Sequence, residues 1–115
     1  QTVVLRDFLD LTQTARLRLC ADLFILAIST DAFAASMQEY LYAGAIFLMG
    51  DWLGYPQLDE LGIPINRFHE YKELPALVEQ AMNGKLSKAT AEQRALLPGH
   101  YSWDAVRKDW LGLYE

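Results

Sequence analysis

The sequence predicts an α/β fold, with a parallel sheet of about four strands and helices on both of its faces. Strand-like and helical segments alternate along the chain, as the crossovers between parallel strands require. The segments 22–28 and 45–49 are apolar at nearly every position, a pattern typical of strands covered on both sides. The chain has 115 residues, 52% of them hydrophobic. We therefore expect residues 1–115 to form a single unit with a real core.

The first elements are a strand, a capped helix and a second strand. The β-branched run 3–6 predicts a strand. Asp10, with Gln13 three residues later, predicts a helix N-terminus, and the helix is expected to end near Cys20 with that thiol buried. The apolar segment 22–28 follows as the second strand.

The middle of the chain continues the alternation. Residues 34–43 are good helix formers, and Gly44 is expected to end that helix. A buried strand is predicted at 45–49 and a helical turn at 57–61. The segment 63–65 predicts a weak strand, and its central proline is compatible with an edge strand or with the start of a strand.

Three helices are predicted in the last third of the chain. Residues 73–83 place apolar side chains on one face at helical spacing. Thr90, with Gln93 three residues on, predicts a second capped helix that stops near residues 98–99. Ser102 is expected to cap the last helix, whose apolar stripe is Trp103, Val106, Trp110 and Leu113.

Composition excludes several functions. The net charge of −5, with acids and bases interspersed, argues against a nucleic-acid partner. One cysteine cannot form an internal disulfide, which favours a reducing, cytoplasmic setting. The apolar run 32–50 is interrupted by polar residues and predicts no membrane span. The two histidines, His69 and His100, are 31 positions apart, and no phosphate-binding glycine motif is present, so neither a metal nor a cofactor is expected.

The strongest candidate site follows the strand at 22–28. Ligands of open parallel sheets lie at the carboxyl ends of the strands, and here Asp31 precedes a helix whose first amides attract anions. Small residues let a phosphate approach the backbone, and Glu39 lies about one turn inside that helix. The alternative is that Asp31 merely caps the helix and Glu39 is a surface residue.

A second loop, 50–56, follows the next strand. Its aromatic residues Trp52 and Tyr55 are candidates for lining a pocket or, alternatively, for packing in the core. Asp51 follows a buried strand as the phosphoacceptor of a receiver-like signalling domain would, but such domains also need a pair of acids after the first strand, where only Asp7 is found.

The segment 21–45 resembles the second domain of retaining glycosyltransferases with two Rossmann domains (the GT-B fold, group 1 or family 4). The resemblance is carried by Asp31 and Glu39, eight positions apart, with Phe33 after the first acid and Ala43-Gly44 after the helix. It continues through the loop 52–56, the helical segment 74–82 and the closing segment 101–114. The sequence departs from the family pattern in having Asp31 for a usual Glu and alanines at 32 and 34 for glycines.

The resemblance implies a partial Rossmann-like fold and a donor site. Asp31 would be the catalytic residue that contacts donor-sugar hydroxyls, and Glu39 would bind the ribose. The amides around Ala32, Phe33, Ala34 and Ala35 would face the sugar and the diphosphate. The reaction would be glycosyl transfer with retention, from a nucleotide sugar to a glycan, lipid-linked glycan or polysaccharide, without an obligatory metal.

The resemblance also implies partners outside these 115 residues. The acceptor-binding domain and the first strands of this domain would belong to a longer parent enzyme, which would be cytoplasmic or peripheral to the inner membrane face. The 115 residues alone are expected to be inactive and to self-associate through apolar sheet edges. The alternative function is a non-catalytic interaction or signalling module.

Overall fold

The computed structural model describes residues 1–114 and confirms the α/β fold class. The strands within them are β1 (Leu23–Leu26), β2 (Ile46–Gly50) and β3 (Asn66–Phe68), and the sheet is parallel in the order β1-β2-β3. The helices are α1 (Leu11–Leu19), α2 (Ala35–Ala43), α3 (Pro56–Glu60), α4 (Leu74–Met82), α5 (Ala91–Tyr101) and α6 (Trp103–Gly112). A single 3₁₀ turn, Tyr71–Glu73, precedes α4. This open parallel sheet is consistent with part of a Rossmann-like fold.

The core is built around the central strand β2. Phe47 and Leu48 are consecutive and both fully buried, so both faces of this strand are covered. On one face, Met37 and Leu41 of α2 pack with Phe47 in the main hydrophobic cluster. On the other face, Ile46 lines a shallow cavity together with residues of α4. The loops that contain the candidate site residues begin where β1 and β2 of this sheet end.

Local capping signals in the sequence are confirmed. Asp10 and Gln13 form a reciprocal capping box at α1, and Thr90 and Gln93 form a second one at α5. Ser102 accepts a hydrogen bond from the Ala105 amide at the start of α6. Gly44 ends α2 with a φ of 100°, a left-handed conformation that glycine adopts without a Cβ penalty.

The predicted strand 3–6 is wrong, so the described residues contain three strands and not four. Residues 1–10 form no regular element, and Val3 is 72% exposed. β-Propensity measures how well side chains fit a pleated, half-buried surface, and no neighbouring strand offers one here. The segment therefore remains an irregular, hydrated chain.

Three further boundaries differ from the prediction. The strand expected at 22–28 is shorter, and Ile25 is 36% exposed because β1 is an edge strand and not one covered on both sides. The third strand lies at Asn66–Phe68 and not at 63–65; Pro64 has no N–H to pair, whereas the Asn66 side chain bonds the Phe47 carbonyl. Helix α5 continues through Pro98 to Tyr101, and the proline, which has no N–H, removes one internal hydrogen bond from the last turn.

The side chains at the two ends of the chain are more exposed than expected. Cys20, predicted to be buried, is exposed beyond the end of α1. Trp103 and Trp110 of the predicted stripe on α6 are also exposed. None of the helices within residues 1–114 is long and apolar enough to cross a membrane.

Candidate functional site

The candidate site is the loop between β1 and α2, which contains Asp31. Aromatic side chains from the segments after β2 and β3 hold this loop at its start. The Trp52 indole donates to the Ile28 carbonyl at 2.8 Å, and the Tyr71 hydroxyl donates to the Ala27 carbonyl at 3.0 Å. The first residues of the loop after β1, which precede Asp31, are therefore held by side chains that follow β2 and β3.

Asp31 is held by three donors that all bind the same oxygen. Oδ2 accepts hydrogen bonds from the amides of Phe33 at 3.2 Å and Ala34 at 2.9 Å, and a short one from the Tyr55 hydroxyl. None of these three hydrogen bonds involves Oδ1, and the nearby Ala32 amide also favours the ionised carboxyl. The carboxylate therefore has one oriented oxygen and one that is available as an acceptor.

The surroundings of Asp31 favour its ionised form. The Tyr55 hydrogen bond, followed by the Ala34 amide, lowers the pKa of Asp31 below its ordinary value. Burial, and next the adjacent Asp31 carboxylate, raise the pKa of Tyr55, so this phenol keeps its proton and donates it. Asp31 is therefore a carboxylate throughout the neutral range.

Some backbone amides of the loop before α2 already donate hydrogen bonds within that loop. The Phe33 and Ala34 amides, predicted to face a donor, instead donate to Asp31, and Phe33 adopts a φ of 79° to allow this. The Phe33 ring packs edge-on against Tyr55 and Tyr101. Ala34 is the N-cap and has no side-chain partner, so the first-turn amides that begin at Ala35 are the ones left to meet an anion.

Glu39 lies on the side of α2 that faces α1. Its carboxylate pairs with Arg18 at 2.5 Å, and about half of its side chain is exposed. It lines a groove of about 890 Å³ between α1, α2 and α5, together with Ala35, Arg94 and Tyr101. Asp31 is not part of this lining. The structure therefore brings Glu39 and the start of α2 into one groove and places Asp31 outside it.

The two aromatic candidates, Trp52 and Tyr55, pack against other side chains instead of lining a pocket. Tyr55 is 2% exposed and packs in the core with Phe33 and Phe47, while its hydroxyl reaches Asp31. Trp52 lies over Gly50 and packs edge-on against Phe68 and Tyr71. Neither lines the groove that contains Glu39.

The structure adds a pair that the sequence reading missed. His69, after β3, places Nδ1 2.8 Å from Asp51 Oδ2, after β2, and this bond raises the pKa of His69. Residues that follow neighbouring parallel strands meet at one sheet edge, and that rule is the signal that would have found the pair. Asp51, which suggested a receiver-like site, is thus paired with a histidine, and Asp7 lies in the irregular segment before α1.

Arg18 is the other side chain whose position was not expected. The sequence resemblance gives it no role, yet its guanidinium pairs with Glu39 and lies over the Tyr40 ring.

Comparisons of the chain with protein-family models, with curated proteins and with solved structures find no significant match.

Proposed function

We propose that this chain is the nucleotide-sugar-binding part of a retaining glycosyltransferase of the GT-B type. One observation supports this most directly. An ionised Asp31 lies at the carboxyl end of β1 with Oδ1 available, just before a helix whose first-turn amides are not all satisfied internally. Such a loop combines an acceptor for sugar hydroxyls with donors for a phosphate.

The proposed roles follow from those groups. Asp31 Oδ1 accepts a hydrogen bond from a hydroxyl of the donor sugar. The amides that begin at Ala35 face the diphosphate and stabilise the charge that develops on it as it leaves. Glu39 binds the ribose hydroxyls with one oxygen while its other oxygen stays with Arg18. The bound donor would extend from the loop after β1 into the groove between α1, α2 and α5.

The rest of the reaction belongs to the proposed parent enzyme. Its acceptor-binding domain would supply the acceptor hydroxyl, and its basic residues would share the diphosphate charge. We place this enzyme in the cytoplasm, with peripheral association to the inner membrane face where its acceptor is lipid-linked. The 115 residues alone would bind donor without turnover.

The test is donor binding by a variant that lacks the Glu39 carboxylate. In calorimetric titrations we expect Glu39→Ala to weaken binding of both a nucleoside diphosphate and a nucleotide sugar. The loss of a hydrogen bond to a charged group is about 1.5–3 kcal/mol, or roughly 10- to 150-fold in affinity. Glu79→Ala is the matched control, because Glu79 is an exposed glutamate on α4, away from the groove.

Two results would contradict the proposal. Unchanged binding by Glu39→Ala would show that the ribose site is assigned to the wrong residue. An equal loss in Glu39→Ala and Glu79→Ala would show that the effect does not come from a specific contact in the groove.

A further inference from the structure

Tyr55 is the one side chain of the described residues whose hydrogen bond reaches the Asp31 carboxylate. It lies after β2 at the N-terminus of α3, and its ring is enclosed by Phe33 and Phe47. A phenol buried to this extent cannot follow the carboxylate if it rotates. Its hydroxyl therefore defines a fixed point to which Oδ2 is attached.

The amides of Phe33 and Ala34 bind the same oxygen as Tyr55. An Asx turn needs only these backbone donors to form, so the turn does not explain why a buried phenol is also aimed at the acid. The Tyr55 hydroxyl adds a hydrogen bond from a third direction. This bond prevents the carboxylate from rotating in a way that would exchange the positions of Oδ1 and Oδ2. The consequence is that Oδ1 keeps one orientation.

Other aromatic residues hold the same loop differently. Tyr71 and Trp52 donate to the carbonyls of Ala27 and Ile28, and so they fix the backbone and not the acid. Tyr71 and Tyr55 each give one phenol hydrogen bond to this loop. A comparison of these two tyrosines therefore separates the effect of holding the carboxylate from the effect of holding the backbone.

We propose that Tyr55 is a positioning residue for sugar recognition, which holds Asp31 Oδ2 so that Oδ1 meets a hydroxyl of the donor sugar. This inference rests on the proposed function. It adds a residue that determines how strongly the sugar, as distinct from the nucleotide, contributes to binding. It also explains how Asp31 can act where a glutamate is usual, because the shorter side chain reaches less far and has to be held in one orientation.

The experiment compares two ligands in three proteins. A nucleotide sugar and the corresponding nucleoside diphosphate are titrated into the wild type, Tyr55→Phe and Tyr71→Phe. We expect Tyr55→Phe to lose about tenfold in affinity for the nucleotide sugar, in line with one charge-assisted hydrogen bond, and to keep its affinity for the nucleoside diphosphate. Tyr71→Phe should keep the wild-type ratio of the two affinities.

The pH profile separates positioning from a general loss of structure. The groups facing Asp31 are the Tyr55 hydroxyl and the neighbouring backbone amides, of which Tyr55 lowers its pKa most. Removal of the hydroxyl raises the pKa of Asp31, so the loss of sugar-dependent affinity on acidification should begin at a higher pH in Tyr55→Phe than in Tyr71→Phe. Tyr71→Phe leaves every donor to the Asp31 carboxylate in place and should keep the wild-type limb.

Each outcome decides the question. If the wild type binds neither ligand, the proposed function is overturned, and this inference with it. If the wild type binds both and Tyr55→Phe keeps the wild-type ratio and acid limb, the inference alone is overturned. Should Tyr55→Phe not fold, carbon NMR titration of Asp31 in the wild type replaces it: the nucleotide sugar should lower the pKa of this carboxyl further, and the nucleoside diphosphate should not. An equal response to both ligands would overturn the proposed contact between Asp31 and the sugar, and this inference with it.

Discussion

Gly50, the last residue of β2, should not tolerate a methyl group. A Cβ built on Gly50 would lie 2.5 Å from the Cη2 atom of Trp52 and even nearer to two other ring atoms, well inside contact distance. The φ of Gly50 is not positive, so alanine costs nothing through the backbone there. The expected effect of Gly50→Ala is thus displacement of the Trp52 ring.

The displaced ring loses interactions whose sizes are known. Trp52 donates one hydrogen bond to the Ile28 carbonyl, worth about 0.5–1.5 kcal/mol, and makes edge contacts with Phe68 and Tyr71 worth about 0.5–1.5 kcal/mol each. Water replaces part of this at an exposed site. We therefore expect Gly50→Ala to lower the free energy of unfolding by about 2 kcal/mol relative to a glycine where a methyl group meets nothing.

Gly54 provides that reference. A Cβ on Gly54 meets no atom within 4 Å, and its φ is not positive. Both substitutions remove about the same conformational entropy from the unfolded chain, about 0.4–1 kcal/mol, so it cancels in the comparison. Urea unfolding followed by circular dichroism gives the two free energies. Fluorescence of Trp52, in a background where Trp103 and Trp110 are phenylalanine, reports the ring. Equal stability of the two variants, with unchanged Trp52 emission, would refute the reasoning.

Three other predictions follow from separate parts of the fold. Gly44→Ala should destabilise the chain by about 1–2 kcal/mol in urea unfolding, because Gly44 has a φ of 100° and its Cβ would lie 2.5 Å from the Arg94 guanidinium; Gly112→Ala, which meets nothing, should not. The pKa of His69 is raised in the folded state, so the stability from its pair with Asp51 should be present below the unfolded pKa of about 6.5 and be lost as pH rises through the folded value. A His69→Gln variant should lack this pH dependence of unfolding, and an identical pH profile would contradict the assignment. Within residues 1–114 no strand pairs with the outer edge of β1, and Ile25 is exposed there, so the chain should dimerise in sedimentation equilibrium. Ile25→Lys should weaken the dimer, and a monomer at high concentration would contradict this.

Local signals in the sequence predicted the helices well because they act over short distances. The capping pairs of Asp10 and Thr90 each satisfy amides only three residues away, and Gly44 ends α2 through its own backbone conformation. These arrangements need no information about the rest of the chain. Segment 3–6 failed for the opposite reason, since a strand exists only where a neighbour pairs with it.

The order of the candidate site residues along the chain could be predicted, but not what each of them contacts. The sequence placed Asp31 just before a helix and Glu39 about one turn inside it, and in the structure Asp31 lies in the loop before α2 and Glu39 in the middle of α2. The partners of these acids, Tyr55 and Arg18, lie 24 and 21 residues away in the chain. Such pairings depend on how the loop after β2 and helix α1 pack against α2. Spacing along the sequence does not contain that information.

The most direct test of the proposed donor site is a titration of Asp31→Asn with a nucleotide sugar and with its nucleoside diphosphate. Asparagine keeps the shape of the side chain and removes the negative charge from the group that accepts a hydrogen bond from the sugar hydroxyl. We predict that the variant loses about tenfold in affinity for the nucleotide sugar alone and binds the diphosphate as the wild type does. Wild-type affinity of Asp31→Asn for both ligands would contradict the account.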